Sequence, residues 1–275
     1  MKIFKNIFLV FFFGLSANAS EIGAVSTATG GGGFGAVEPV DGILKNPAFL
    51  RDLPNRNFSF NYAQDIWALS ISDNSQESLF PAGLQMTSEK VSDQLRTQKL
   101  GLNFSPPRLG PITMGATASL VSYDSQPTPF QTEQFQQAVL DVGLTYALSR
   151  DFGLGLTANR ISSSNVKLAE NLQLQKYAAF GLSYTYENFI RLRLDAETAP
   201  EYKTDKLVYM VGMENYMNDW VVLRLGYRND NVVLKDYFSA GLGFTGPQFG
   251  LHYAYIADVA DSGSAKHLID LAIPF

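Results

Sequence analysis

The stretch Ile190-Arg191-Leu192-Arg193-Leu194-Asp195-Ala196-Glu197 alternates apolar and charged residues throughout. Successive side chains of a β-strand point to opposite faces, so this stretch predicts a strand with one apolar face and one charged face. A soluble β-sandwich buries the apolar face against a second sheet, whereas a membrane β-barrel turns it towards lipid. The alternation alone leaves both architectures open.

Three features of the other alternating segments favour the membrane barrel. The segments run to roughly 9–11 residues, which suits a tilted membrane strand and exceeds the usual length of soluble strands. Many positions on the polar faces are glycine, which matches the small inward residues of a barrel. Aromatic residues stand at strand ends, where interfacial girdles lie: Tyr146, Tyr186, Trp220, Tyr227, Phe244 and Tyr255.

The strand count follows from the same pattern. The segment Asn57–Ser72 reads as one strand or as two strands divided near Gln64-Asp65. Because single-chain bacterial barrels have even strand numbers, we expect an all-β fold, an antiparallel transmembrane β-barrel of 14 strands, with 12 as the alternative. Short turns are expected on one rim and longer polar links on the other, namely Asp73–Glu77, Asp124–Glu133, Ser162–Glu170 and Ala257–Ala265.

The first 19 residues have the pattern of a secretory signal peptide. Lys2 and Lys5 precede an apolar run from Ile7 to Phe13, and Ala17-Asn18-Ala19 provides a small-residue cleavage site. The alternative, a membrane anchor, needs an apolar run of roughly 20 residues. We therefore predict cleavage before Ser20 and export to the outer membrane of a Gram-negative bacterium.

The composition excludes several kinds of functional site and partner. The chain of 275 residues contains no cysteine, which excludes disulfides, thiolate metal sites and a lipoprotein anchor. Its net charge is -5 and no block of basic residues stands out, so nucleic acid is not an expected partner. We predict no metal and no cofactor, and outer-membrane lipid as the surroundings of the barrel.

The segment 20–56, before the first strand, is different in kind. It holds the glycine-rich run Gly30–Ala36, then Asp41, then Asn46-Pro47-Ala48 followed by Leu50. No Gly-Lys-Ser/Thr follows the glycines, which argues against a nucleotide-binding loop. The order of these elements resembles the start of FadL/TodX-type outer-membrane transporters, including the related PorV-like barrels.

This resemblance implies a fold and two functions. Segment 20–56 would fold into the barrel, residues 57–275, as a small plug; the alternative is a flexible N-terminus. The protein would be a channel for small hydrophobic or amphipathic molecules. Alternatively it would be a PorV-like partner or shuttle for secreted proteins, or a barrel with a structural role only. The chain is shorter than typical family members and its loops are predicted to be short.

Enzymatic chemistry has little support in the sequence. A hydrolase needs a nucleophile with a positioned base, usually histidine, and the chain has only His252 and His267. Neither stands in a motif with serine or aspartate. We therefore predict that the protein is not an enzyme.

The polar faces of the strands predict a charged lumen. Its lining would comprise Arg191, Arg193, Asp195, Glu197, Arg224, Arg228 and His252. One interpretation is a set of salt bridges that stiffens the barrel, and the other is a selectivity lining for an anionic solute. At the C-terminus, alternation continues to Phe275, which resembles the signal read by the barrel-assembly machinery, an expected partner during biogenesis.

Overall fold

The computed structural model describes residues 22–36, 38, 40–77, 80–128, 131–163, 174, 176–198 and 206–275. The predicted signal peptide, residues 1–19, lies outside these described residues. All statements about elements, contacts and counts below refer to them.

Fourteen antiparallel strands form a closed barrel across the described residues, in which each strand pairs with its neighbours in sequence and the last pairs with the first. This confirms the all-β barrel of 14 strands over the alternative of 12. The strands are β1 Arg56–Ala63, β2 Ile66–Asp73, β3 Ala82–Ser92, β4 Leu95–Phe104, β5 Ile112–Thr128, β6 Gln131–Ala147, β7 Phe152–Ser163, β8 Tyr177–Tyr186, β9 Ile190–Thr198, β10 Val208–Tyr216, β11 Val221–Asp230, β12 Lys235–Thr245, β13 Gly250–Asp258 and β14 Lys266–Pro274.

The two faces of each strand have opposite polarity, with the apolar face outside. Along β9, Leu192 and Leu194 are 46% and 52% exposed, whereas Arg193 between them is 1% exposed. A soluble sandwich would bury the leucines and expose the arginine. The apolar exterior and polar interior are those of a membrane barrel.

The segment before β1 lies inside the barrel. It contains the helices α1 Ala24–Ala28 and α2 Gly42–Lys45 and a 3₁₀ turn Pro47–Asp52. Helix α1 is fully buried and packs on β11 to β14, whereas the 3₁₀ turn packs on β4, β5 and β6. We call the described residues 22–53 the plug. Among the described residues, no helix has the length and apolar character needed to cross a membrane.

Two expectations about the links are wrong. We call the rim where β1 begins and β14 ends the terminal rim, and the other the opposite rim. The link after Asp73 lies on the terminal rim, beside short turns such as Glu187–Phe189, because the tight β1–β2 hairpin returns the chain there. The described residues of Asp124–Glu133 belong to strands and not to a loop, since β5 and β6 pair at Ser125 and Glu133 and again at Thr128 and Gln131. Backbone pairing continues there although the apolar alternation has ended.

Candidate functional site

Inward-facing glycines bring the barrel wall against the plug backbone. A Cβ atom at Gly155 would collide with the Phe34 carbonyl oxygen, and one at Gly115 would collide with that of Pro47. This set, the glycine belt, occupies β5, β7, β8, β10 and β11: Gly115, Gly153, Gly155, Gly181, Gly212 and Gly226. The glycines on the polar faces therefore have a specific cause, which is close approach of the plug backbone rather than barrel taper alone.

Polar side chains of the wall hold the plug backbone at several points. Asp195 accepts hydrogen bonds from Gly33 N and Phe34 N, both at 2.9 Å. On the other side of the lumen, Asp270 accepts from Ala24 N and Val25 N. Because these carboxylates bond to backbone amides, they fix the path of the plug without depending on its side chains.

The Asn-Pro-Ala motif forms the turn that joins the plug to β6 and β7. Asn46 Oδ1 accepts a hydrogen bond from Ala48 N at 3.0 Å, which starts the 3₁₀ turn with Pro47 in its first position. Asn46 Nδ2 donates to Phe34 O at 3.0 Å and lies 3.4 Å from both Leu144 O and Leu156 O. The motif therefore ties two parts of the plug to each other and to the wall.

A buried group of charges joins the plug to β9, β10 and β11. We call Glu38, Arg191, Arg193, Glu214 and Arg224 the arginine cluster. Glu214 is fully buried and accepts from Arg193 Nε and Arg224 Nε, each at 2.9 Å. Glu38, the plug residue, accepts from Arg191 Nη1 at 2.7 Å and Arg193 Nη2 at 2.5 Å. Two carboxylates thus share three guanidinium groups.

His252 stands at the edge of the arginine cluster. Its Nδ1 lies 3.1 Å from Arg224 Nη1. Since a guanidinium group only donates, Nδ1 must accept, and the imidazole is neutral with its proton on Nε2. His252 therefore adds no charge to the cluster.

The ionisation of Glu38 is shifted by its position inside the barrel. Burial raises the pKa of Glu38 above its usual value, and the neighbouring Glu214 charge raises it further, whereas Arg193 and Arg191 oppose the rise. The plug therefore carries a carboxylate that takes up a proton more readily than an exposed glutamate.

A cavity of about 850 Å³, counted with the space open to solvent, lies between the plug and the opposite rim. We call it the chamber. Its floor is formed by the plug residues Ile22, Leu44 and Lys45. Four cationic side chains line it, Lys45, Lys99, Arg160 and Arg228, together with the acidic side chains Glu89, Asp141 and Glu197. The chamber is open to solvent, and its lining is largely polar.

A bulge in β7 directs Arg160 into the chamber. The ladder between β6 and β7 jumps from Leu140–Ser162 to Val142–Ala158, so three residues of β7 stand opposite Asp141. Arg160 takes a left-handed backbone conformation, φ 60°, and its N–H donates to Asp141 Oδ1 at 2.7 Å. Lys99 Nζ donates to the other oxygen of Asp141 at 2.6 Å. Bulges commonly re-aim a side chain in this way.

The residues predicted to form one charged lining occupy three places. Arg191, Arg193, Arg224 and His252 meet in or beside the arginine cluster. Asp195 holds the plug backbone, and Glu197 and Arg228 line the chamber. Their role as a selectivity lining stays a prediction. Phe275 N donates to Arg56 O at 3.1 Å on the terminal rim, and its role in assembly stays a prediction as well.

Sequence reasoning missed several residues of the lumen. Glu214 could have been found, because it shares the parity of Met210 and Gly212 on β10 and stands opposite Arg191 and Arg224. Glu38 and Lys45 could not, because the plug has no strand periodicity. Lys99 and Asp141 lie at polar positions of alternating segments, but nothing in the sequence indicates that they pair.

Comparison with known proteins shows the fold. No protein-family model and no curated protein matches the chain. Solved structures do match. The alignment with the Pseudomonas putida toluene transporter TodX has 14% identity and a TM-score of 0.69, and it covers 92% of this chain and 98% of the TodX chain. The CymD monoaromatic hydrocarbon channel has 14% identity and a TM-score of 0.64, covering 94% and 98%.

A Pseudomonas aeruginosa FadL homologue has 10% identity and a TM-score of 0.61, covering 92% of this chain and 98% of its own. The chain therefore has the fold of the FadL/TodX-type outer-membrane transporters.

Proposed function

We propose that the protein is an outer-membrane channel that passes small hydrophobic or amphipathic molecules. The observation that carries this proposal is the chamber, a solvent-filled space inside the barrel between the plug and the opposite rim. A barrel with a structural role only would need no such space. The likeness in fold to a toluene transporter and a monoaromatic hydrocarbon channel supports the same function.

The way in which the plug is held also supports a channel. Its contacts with the wall combine apolar packing, such as that of Phe34 on Val208 and Met210, with hydrogen bonds and ion pairs, such as those of Asp195 and Glu38. Water can replace such bonds at a net cost of about 0.5–1.5 kcal/mol each. The polar share of the contacts can therefore be exchanged for water when the plug shifts within the lumen.

Transport is tested with the purified full chain in proteoliposomes. Osmotic swelling measures the uptake of N-acetylphenylalaninamide, a small amphipathic molecule, against empty liposomes. We expect faster uptake with the protein. Thr87→Trp places an indole ring in the chamber wall and should slow uptake, whereas Leu102→Trp on the outer face of β4 should not.

The outcome against a channel is equally definite. If the folded barrel, recognised by its heat-modifiable migration on a gel, gives no uptake of this solute or of phenylalanine above empty liposomes, the channel proposal fails. A stoichiometric protein bound to the chain in native mass spectrometry of its own membrane would then favour the PorV-like partner role.

A further inference from the structure

We propose that the chamber selects zwitterionic amphiphiles, namely α-amino acids with apolar side chains, over uncharged hydrocarbons. This inference rests on the proposed channel function and narrows its substrate class. It is argued from the charges of the chamber, their arrangement and the apolar surface beside them.

The charges of the chamber disfavour a purely apolar ligand. Lys45 and Arg160 line it together with Glu197, and further charged groups stand nearby. A hydrocarbon makes no hydrogen bonds, so it would have to strip water from these groups without replacing it. A ligand that carries its own charges replaces those hydrogen bonds instead.

An acidic side chain of the chamber lining lies near several basic side chains. Glu197 projects from β9, and the cations whose fields reach its carboxylate are Arg228, Lys45 and Arg160. Among the described residues, no hydrogen bond or close ion pair satisfies this carboxylate. By contrast, Asp141 is occupied by Lys99 at 2.6 Å. Glu197 is therefore the carboxylate that faces the chamber ready to accept an ammonium group.

A cation is placed to receive the other end of the ligand. Lys45 Nζ donates to Gly31 O at 2.9 Å, which uses one of the three donors of an ammonium group. The Arg160 guanidinium lies 5.5 Å from the centre of the Tyr177 ring, held at this position by the β7 bulge. A ligand carboxylate can lie between Lys45 and Arg160 while the ligand ammonium meets Glu197.

The apolar part of the ligand has its own surface. Ile22 and Leu44 form part of the floor, and Leu174 and the Tyr177 ring form part of the wall. An apolar amino-acid side chain can cover these groups while its backbone charges meet the charged side chains. The chamber thus has groups that match the ammonium, the carboxylate and the apolar side chain of an α-amino acid.

A matched series of solutes tests the inference. The four solutes are phenylalanine, N-acetylphenylalanine without the ammonium charge, phenylalaninamide without the carboxylate, and N-acetylphenylalaninamide without either. Uptake into proteoliposomes should be about tenfold faster for phenylalanine than for each derivative, as expected for one charge-assisted hydrogen bond. Uptake of phenylalanine should also saturate.

Two variants locate the preference. Glu197→Gln should remove the advantage of phenylalanine over N-acetylphenylalanine, and Lys45→Gln should remove its advantage over phenylalaninamide. Glu187→Gln, in an exposed turn of the terminal rim, is the matched control and should change neither ratio. Heat-modifiable migration shows that each variant is folded.

The outcomes separate this inference from the channel function. If all four solutes enter equally, or the uncharged derivative enters fastest, the inference is overturned and the channel stands. If none enters through a folded barrel, the channel function itself fails.

Discussion

Glu214 is the central acceptor of the arginine cluster. Its carboxylate is fully buried and accepts hydrogen bonds from Arg193 and Arg224, with Arg191 3.5 Å away. Removing one partner of a buried ion pair leaves an uncompensated charge, which costs more than the pair itself contributes.

Glu214→Gln should therefore lower the free energy of unfolding by about 3–5 kcal/mol. Urea unfolding of the refolded barrel, followed by tryptophan fluorescence, measures the change. Glu133→Gln removes a glutamate charge from an exposed site on β6 and serves as the control. An equal loss in both variants would show that the arginine cluster has no special weight.

Glu38 should respond to pH in the opposite sense to an ordinary ion-paired carboxylate. Burial raises its pKa, so the folded protein holds its proton more tightly than the unfolded chain. Its contribution to stability is fully present at low pH and is lost as pH rises through the folded pKa.

Glu38→Gln has no proton to lose, so it should be at least as stable as the parent at about pH 8 and should depend less on pH down to about pH 4. Urea unfolding at several pH values measures both. If the parent is the more stable of the two at high pH, attraction to Arg191 and Arg193 outweighs burial, and the prediction is wrong.

At the scale of elements, the glycine belt decides how the plug sits. A methyl group at Gly155 would overlap the Phe34 carbonyl oxygen, and neither backbone can retreat without breaking other contacts. At Gly83, on β3, a Cβ would come no closer than 3.2 Å to the nearest atom, Ile71 O. Both glycines lie within strands, but Gly155 faces the plug backbone, whereas the nearest neighbours of Gly83 are wall residues.

Gly155→Ala should displace the plug, whereas Gly83→Ala should leave it in place. Hydrogen exchange at the backbone amides of Gly33 and Phe34, which now donate to Asp195, should speed up by about two- to tenfold in the first variant, since each lost bond is worth about 0.5–1.5 kcal/mol. Equal protection in the two variants would contradict a role for the belt in docking.

The strands were predictable from sequence because their environment has a period of two. Lipid outside and polar lumen inside force the alternation seen in Ile190–Glu197, and the same parity would have placed Glu214 inside. The alternation fades where β5 and β6 leave the apolar band, so Asp124–Glu133 was misassigned as a loop. There the strands persist through backbone bonds, which leave no signature in side-chain polarity.

The plug and the chamber were much less predictable. The Asn46-Pro47-Ala48 motif contributed to the resemblance that implies a plug, but it does not indicate that Asn46 reaches the carbonyl groups of β6 and β7. Glu38 and Lys45 acquire their partners only through the path of a segment without periodic structure. The β7 bulge at Arg160 is likewise a property of strand register, which one strand's sequence does not reveal.

At the scale of the whole molecule, stability depends on the apolar outer band. Leu194 stands in the middle of β9 on the outer face, where it is 52% exposed. Leu148 is 58% exposed but lies in the turn after β6 on the terminal rim. In lipid, the cost of a charge depends on depth.

Leu194→Arg should cost about 2–4 kcal/mol in a bilayer, and Leu148→Arg about 0–1 kcal/mol. Urea unfolding from phospholipid vesicles measures both free energies. Equal costs at the two positions would argue against a membrane position centred on the strands.

The pairing of β1 with β14 has a consequence for how the plug is tethered. Phe275 N donates to Arg56 O, so β14 ends beside the start of β1, where the plug is covalently joined to the barrel wall. A circular permutant with new termini in the Glu187–Phe189 turn would keep every strand neighbour. Its former ends would be fused, and the plug would become a bridge anchored on both sides. In such a molecule the plug could still shift within the lumen but could not leave it. Comparing it with the parent would show which of the two movements uptake requires.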